Sequence, residues 1–399
     1  MRRLLILTGS ALLAVTGAMV GVMATPAQAA SHHSVVYALY GDAPYGTTPT
    51  DTSEFDATPA FIAAVNADPQ VRLVAHVGDI HSGKQYCTEA YDRSVANLWQ
   101  SYTDPLVYLP GDNEWTDCHK AAEGGGTYDA STGQIKYAVD PATGQPIDYA
   151  SGNPVANLNL IRSIFFTQPG RTLGRHPATV LSQAQLPNPA HPSDRKFVEN
   201  VMWQENGTLF VTLNIPGGSN NDGDIWYGAP TQSQAQSDEV AERTGADLRW
   251  LNDAFLIAAL THQSSVMILT QADMWDLDGK TPDHLAGYDA LVDSIATHTS
   301  AFGKPVLLVN GDSHVYRSDN PLSATAPCVT EGAGGTEVAC ASENSVHPGY
   351  DVANFHRIVV HGSTFLLEWL KMTIDPAAHG TGSDAFGPFA WQRQPQPTS

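Results

Sequence analysis

Four short apolar runs in this chain end in the same dipeptide, Gly-Asp, and that repetition constrains the fold more than any other feature. Val35–Tyr40 runs into Gly41-Asp42, and Val71–Val77 into Gly78-Asp79. Leu106–Leu109 runs through Pro110 into Gly111-Asp112, and Val306–Asn310 into Gly311-Asp312. These runs are rich in β-branched residues and mostly lack strict alternation, the pattern of strands buried on both faces. Leu209–Asn214 and Val266–Thr270 read the same way. Between them lie stretches with helical spacing. Thr58–Asn66 has Thr58 as N-cap and Pro59 at the first helical position, and Ser94–Tyr102, Val155–Phe166, Asp247–Leu260 and Leu285–His298 follow. Strand and helix in alternation imply an α/β domain. One Gly-Asp after a strand is an ordinary turn. Four of them, if the strands are neighbours, gather four carboxylates at one sheet edge, where open α/β sheets bind ligands. Such a cluster raises its own pKa values unless a divalent cation compensates it.

The two ends of the chain differ from this pattern. Arg2 and Arg3 precede an apolar run from Leu4 to Met23, and small residues follow to Ala27-Gln28-Ala29. This is the order of a secretory signal peptide over residues 1–29, and it implies a secreted protein. An uncleaved anchor is the competing reading, disfavoured by the Gly, Ala and Thr content of the run. No later stretch is apolar for long enough to span a bilayer. At the other end, Phe355–His361 and Ser363–Lys371 read as a hairpin closing a second sheet, and residues 391–399 as a disordered tail. One domain is expected over residues 30–390. The polar stretches Glu123–Asn153, Pro216–Glu239 and Ser318–Tyr350 are read as loops walling a site.

Charge and cysteine usage narrow the partners. The chain carries 41 acids and 20 bases, a net of −21, and losing the two signal arginines takes it to −23. That balance argues against nucleic acid and anionic membranes and suits a protein that holds divalent cations. Four cysteines in an exported chain suggest two disulfides. Of three pairings, Cys87–Cys118 and Cys328–Cys340 are favoured, since each joins loops expected to lie close together. No Cys-x-x-Cys spacing supports a zinc site instead.

The Gly-Asp phrases "GDAP", "GDIH", "GDNE" and "GDSH", with "LTQAD" before the last, resemble the ordered blocks of the calcineurin-like metallophosphoesterases. The likeness runs from Tyr37 to His314 and looks like a divergent secreted branch. It implies a four-layer α/β/β/α sandwich of the metallo-dependent phosphatase type. By the same resemblance, Asp42 falls on the first metal's Asp and Asp79 on the bridging Asp. Asp112 takes the place of an Asn ligand, and His314 that of the last His. Pro44 stands at a ligand His, Asn113 at the His that assists catalysis, Gln271 at the lone His, and Asp312 at the first His of the final block. The implied metal set is Asp42, Asp79, Asp112, Gln271, Asp312 and His314. Its oxygen-rich donors point to one or two ions of Mg²⁺, Mn²⁺ or Ca²⁺ rather than Zn²⁺.

The implied activity is hydrolysis of a small phosphoester. His81 is the candidate general acid, with His119 the weaker one, and Lys84 and Arg317 are candidates for phosphate contact. Asn220 and Asn221 are candidates to face the site. Trp250 and Phe255 read as core, and Trp115 as core or cavity rim. The alternative is a catalytically silent module in which the carboxylates hold a structural cation and the loops bind a partner or glycan. A Ser-His-Asp hydrolase lacks its Gly-x-Ser-x-Gly elbow here.

Overall fold

The computed structural model describes residues 34–396, so the signal-peptide reading falls outside the described residues. Two βαβ series organise the chain. In the first, β1 (Val35–Tyr40), β2 (Val71–His76) and β3 (Leu106–Tyr108) alternate with α1 (Ser53–Ala67) and α2 (Glu89–Trp99), and α3 (Pro154–Phe165) follows. The second is preceded by β4 (Val201–Glu205). It comprises β5 (Thr208–Thr212), α4 (Gln234–Leu260), β6 (Ser265–Leu269), α5 (Asp289–Phe302) and β7 (Val306–Asn310). The chain ends with β8 (Phe355–Val359), β9 (Glu368–Ile374) and β10 (Phe389–Pro395).

The strands form two large mixed sheets. In the first, β2 pairs in parallel with both β1 and β3, while β9 pairs antiparallel with β1 and β10. In the second, β5, β6, β7 and β8 are parallel neighbours and β4 is antiparallel to β5. The sheets pack face to face through one apolar layer that includes Tyr37, Leu39 and Met372 from the first and Phe210, Met267, Leu307 and Val309 from the second. The outer face of the first sheet is covered by Phe61, Ile62, Trp99, Ile161 and Phe165 of α1, α2 and α3. That of the second is covered by Trp250, Phe255, Leu291 and Ile295 of α4 and α5. The result is four layers, α/β/β/α. Each central strand is apolar on both sides because each is covered on both sides.

Several expectations need correction. The two terminal runs do not form a hairpin. β8 pairs with β7 in the second sheet, and β9 crosses to pair with β1 in the first. Both runs are buried, and a turn at His361-Gly362-Ser363 looks alike in sequence whether the chain folds back or changes sheets. Residues 391–395 are strand rather than disordered tail. Phe389 and Trp391 point inward and are buried, and Arg393 pairs with Glu368 and Glu331. The polar side of this strand dominates its composition and hides the alternation. α1 starts at Ser53, earlier than Thr58, because Glu54 and Asp56 favour a helix N-terminus; Pro59 lies inside it. The loop readings also miss structure. Gly126–Asp129 and Gln134–Tyr137 form a small hairpin, and three short strands between Arg317 and Ala339 extend the second sheet. α4 begins at Gln234. The disulfides are Cys87–Cys118 and Cys328–Cys340, as favoured above.

Trp391→Ala tests the correction at the C-terminus. It is expected to destabilise the protein by about 3–5 kcal/mol, as for other buried aromatics cut to Ala, with a lower denaturant midpoint and unchanged slope. An unchanged midpoint would return this segment to a disordered tail.

Candidate metal centre

The carboxyl ends of β1, β2 and β3 in one sheet and of β6 and β7 in the other meet at one place. Asp42, Asp79 and Asp112 come from the first sheet, and Gln271, Asp312 and His314 from the second. Asp42, Asp79 and Asp312 all sit in the left-handed backbone region, at φ 50°, 62° and 77°, and His314 joins them at 65°. Asp tolerates that region better than most residues, but it is sparsely populated and tends to mark functional sites. The preceding glycines are needed for a different reason. A Cβ on Gly311 would lie 2.5 Å from Asp42 Oδ2, and one on Gly111 would overlap the Asp79 carboxylate. Gly111 and Gly311 thus clear space for a neighbouring aspartate, while Gly41 and Gly78 admit the side chains of Val77 and Gln271 and the backbone of the adjoining loops.

Asp42, Asp79 and His314 each offer a ligand atom, all within 4.8 Å of one another. Asp42 Oδ1 accepts from the Asp312 amide at 3.0 Å, while its Oδ2 is buried with no hydrogen-bond partner. Tyr45 stands beside this group. Its hydroxyl donates to Asp79 Oδ2 at 2.6 Å, accepts from Asn113 Nδ2 at 2.8 Å, and lies 3.2 Å from His314 Nε2. Glu114 Oε1 orders the Asp79 turn by accepting from Gly111 N at 2.6 Å, Tyr108 O–H at 2.6 Å and Asp79 N at 3.2 Å. On the other side, Asp312 Oδ2 accepts from the amide of Asp273, and Asp273 is held by the buried Arg357.

Burial raises the pKa values of Asp42, Asp79 and Asp312 well above the carboxylate range. The Asp112 charge adds to the burial effect at Asp79 and Asp312. Burial and the charge of Asp117 push Asp112 up to about 7. Burial, then His361, lowers His314 to about 4, so its imidazole is neutral and free to act as a ligand. Among the described residues, no Lys or Arg forms an ion pair with any of the four aspartates. An unpartnered buried carboxylate oxygen, a second carboxylate and a neutral imidazole fit a divalent cation.

The group opens onto a cavity of about 500 Å³ whose walls include Tyr45, Asp79, Lys84, Asp112, Asn113 and His314. A second cavity of about 290 Å³ adjoins it and shares Asp112, Asp312 and His314. Of the three polar stretches, the one around Gly218–Asp224 lines the second cavity.

Other expected site residues lie elsewhere. His81 is fully buried and off the cavity walls, edge-on to Tyr91, and burial lowers it to about 4. His119 is also buried, and its Nδ1 accepts from the Tyr227 amide. Arg317 is held by Asp319 and Glu343. Asn220 and Asn221 bond to Arg243 and Glu239, tying their loop to α4. Trp115 is fully buried under Arg243, so it is core. Gln271 turns its amide nitrogen, not its oxygen, toward the carboxylates. Tyr45 and Glu114 were missed. Glu114 closes the phrase GDNE and Tyr45 directly follows GDAP, and only the fold shows which way they point.

No protein-family model matches the chain, and no curated protein sequence matches it. Among solved structures, the chain is similar to a purple acid phosphatase isolated from yellow lupin (Lupinus luteus) seeds, at 11% identity and a TM-score of 0.38. The match covers 91% of this chain and 52% of that one, so the chain spans about half that protein's length.

Gly311→Ala tests whether the Asp42 side of the site holds an ion. The added methyl must displace Asp42 Oδ2 from its place. Titration with Mn²⁺ is expected to show affinity reduced by about 10–100-fold. Unchanged affinity in the folded variant would remove Asp42 from the ligand set.

Proposed function

We infer that this chain is a metal-dependent phosphoester hydrolase, with the cation held by Asp42, Asp79 and His314. The observation that carries this reading is the convergence of four aspartates, three buried and Asp312 partly buried, beneath an open cavity with no Lys or Arg of the described residues paired to them. Buried carboxylates without compensating charge are costly, and a divalent cation resolves that cost where side chains do not. The mostly oxygen donors favour Mg²⁺, Mn²⁺ or Ca²⁺ over Zn²⁺. Such an ion supplies Lewis acidity, drawing charge from a phosphoryl oxygen as displacement proceeds.

The chain's own residues do the rest. Lys84 is exposed on the cavity wall, and its role in this reading is to meet a non-bridging phosphate oxygen with its ammonium. Ser82 and Thr364 line the same wall. Burial, then the Asp79 charge, keeps Tyr45 protonated, so it serves as a hydrogen-bond donor and not as a base. Asn113 holds Tyr45 and Asp79 in register through its amide. His81 has no part in this scheme, because it does not reach the cavity. A volume near 500 Å³ suits a small phosphomonoester or diester, and the net charge of the chain disfavours long polyanions. Two disulfides support an oxidising, extracellular setting.

A second reading is favoured by Asn113 and Gln271, amides at two places where the resemblance implies imidazoles. In it the cation is structural, and the cavity binds a partner or glycan without chemistry. The two readings part in one experiment. Protein purified without chelator is assayed on p-nitrophenyl phosphate and its bis ester, before and after EDTA, with Mn²⁺, Mg²⁺ or Ca²⁺ added back. The hydrolase reading expects turnover that EDTA abolishes and a cation restores. It also expects Asp79→Asn to lower kcat/KM by at least ~100-fold, and Lys84→Ala to act mainly on KM. Tightly held cation with no turnover on either ester would establish the silent module.

A further inference from the structure

Gln271 reaches the carboxylate cluster with its nitrogen. Its Nε2 lies 3.0 Å from Asp112 Oδ1, 3.1 Å from Asp312 Oδ1 and 3.2 Å from Asp79 Oδ2. Three carboxylate oxygens thus surround one neutral amino group. The orientation of the amide is fixed by a partner that cannot change role. The backbone N–H of Gly217 donates to Gln271 Oε1 at 2.7 Å. A flipped amide would set two N–H groups against each other and aim its oxygen at three carboxylates. The side chain has no room to withdraw, since it is fully buried and its Cβ and Cγ pack against the Cα face of Gly78. Its backbone carbonyl is tied to Gly311 N at 3.0 Å.

We propose that the Gln271 amide nitrogen stands in for a second cation between Asp79, Asp112 and Asp312, so that the centre holds a single ion on the Asp42 side. This rests on the metal-dependent reading above and specifies its stoichiometry. Hard divalent cations sit about 2.0–2.6 Å from their oxygen ligands. A nitrogen already central among the three oxygens excludes an ion from the same space. The two halves of the cluster are therefore unlike. One is filled by a neutral donor of the chain itself. The other, around Asp42, Asp79 and His314, keeps an unpartnered buried oxygen at Asp42. Asp79 belongs to both, so its carboxylate links the amide to the ion instead of bridging two ions.

The experiment counts ions. Mature protein stripped with EDTA and dialysed is titrated with Mn²⁺ by calorimetry, and the bound Mn²⁺ is examined by electron paramagnetic resonance. One Mn²⁺ per chain with an isolated-ion spectrum is expected for the wild type. Gln271→Glu replaces the amino group by an anionic oxygen at constant shape and is expected to bind two, with an exchange-coupled spectrum. If the added charge prevents folding, judged by circular dichroism, Gln271→His carries the same expectation. Two ions in the wild type would overturn the inference and leave the metal-dependent reading intact. A folded variant that still binds one would overturn it as well. No bound ion in the wild type would defeat the underlying reading and the inference with it.

Discussion

Repulsion among buried carboxylates is the constraint around which this molecule is arranged. Asp42, Asp79 and Asp112 are buried and Asp312 is partly buried, and no lysine or arginine of the described residues pairs with them. Each left-handed aspartate adds backbone strain of about 1–3 kcal/mol. A marginally stable domain tolerates such a site only where the surroundings leave the side chains nowhere else to go. The central strands supply that rigidity. Their ends are fixed by ladders on both sides, and their faces are packed between an inter-sheet layer and a helical layer. The glycines then let the loops approach closely enough for the aspartates to meet.

Cationic groups act at one remove. Arg357 of β8 is fully buried, pairs with Asp273, Asp319 and Glu343, and lies over Trp275. Through Asp273 it fixes the loop whose backbone N–H donates to Asp312. Arg243 of α4 acts in the same way on the Asn214–Asn220 segment, bonding Asn214 O and Asn220 O and pairing with Glu239. That segment carries Gly217, whose N–H orients Gln271. Guanidinium groups thus shape the loops while staying out of contact with the four carboxylates, whose charge is left for something bound from outside. A fully hydrogen-bonded buried arginine can serve in this way because its planar fork satisfies several acceptors at once.

What the sequence made legible was local. The Gly-Asp strand ends, the alternation of strand and helix and the core placement of Trp250 and Phe255 rest on short-range pattern, and the structure contains them; the cysteine pairing, which followed from loops expected to be neighbours, is there too. What it hid depends on direction or on partners distant in sequence. His81 follows Asp79 by two residues, yet the turn that aims Asp79 into the cavity aims His81 into the core. Arg317 follows His314 by three and is claimed by Asp319 and Glu343 instead of by the cavity. Gln271 was read by its oxygen, and only the Gly217 N–H, 54 residues away, decides that the nitrogen faces the carboxylates. Tyr45 lies within the first motif loop, but its contact with His314 spans 269 residues.

The segment most misread, the join between β8 and β9, holds the two halves of the site together. Three aspartates come from the first sheet, while Gln271, Asp312 and His314 come from the second, so neither sheet contains a site alone. After β8 the chain leaves the second sheet through Gly362 and Ser363 and enters the first as β9. On the way, Gly362 N donates to His314 O at 3.0 Å and Ser363 N donates to Asp42 O at 2.7 Å. Two successive backbone amides thereby clamp one ligand-bearing loop from each sheet at a fixed separation. A hairpin confined to one sheet could not do this. Because Asp42 and His314 belong to one candidate ligand group, their separation depends on this crossing as much as on the strands beneath them. Side chains are free to choose rotamers, but a backbone clamp fixes the Cα positions from which those choices are made, and a metal site needs that precision.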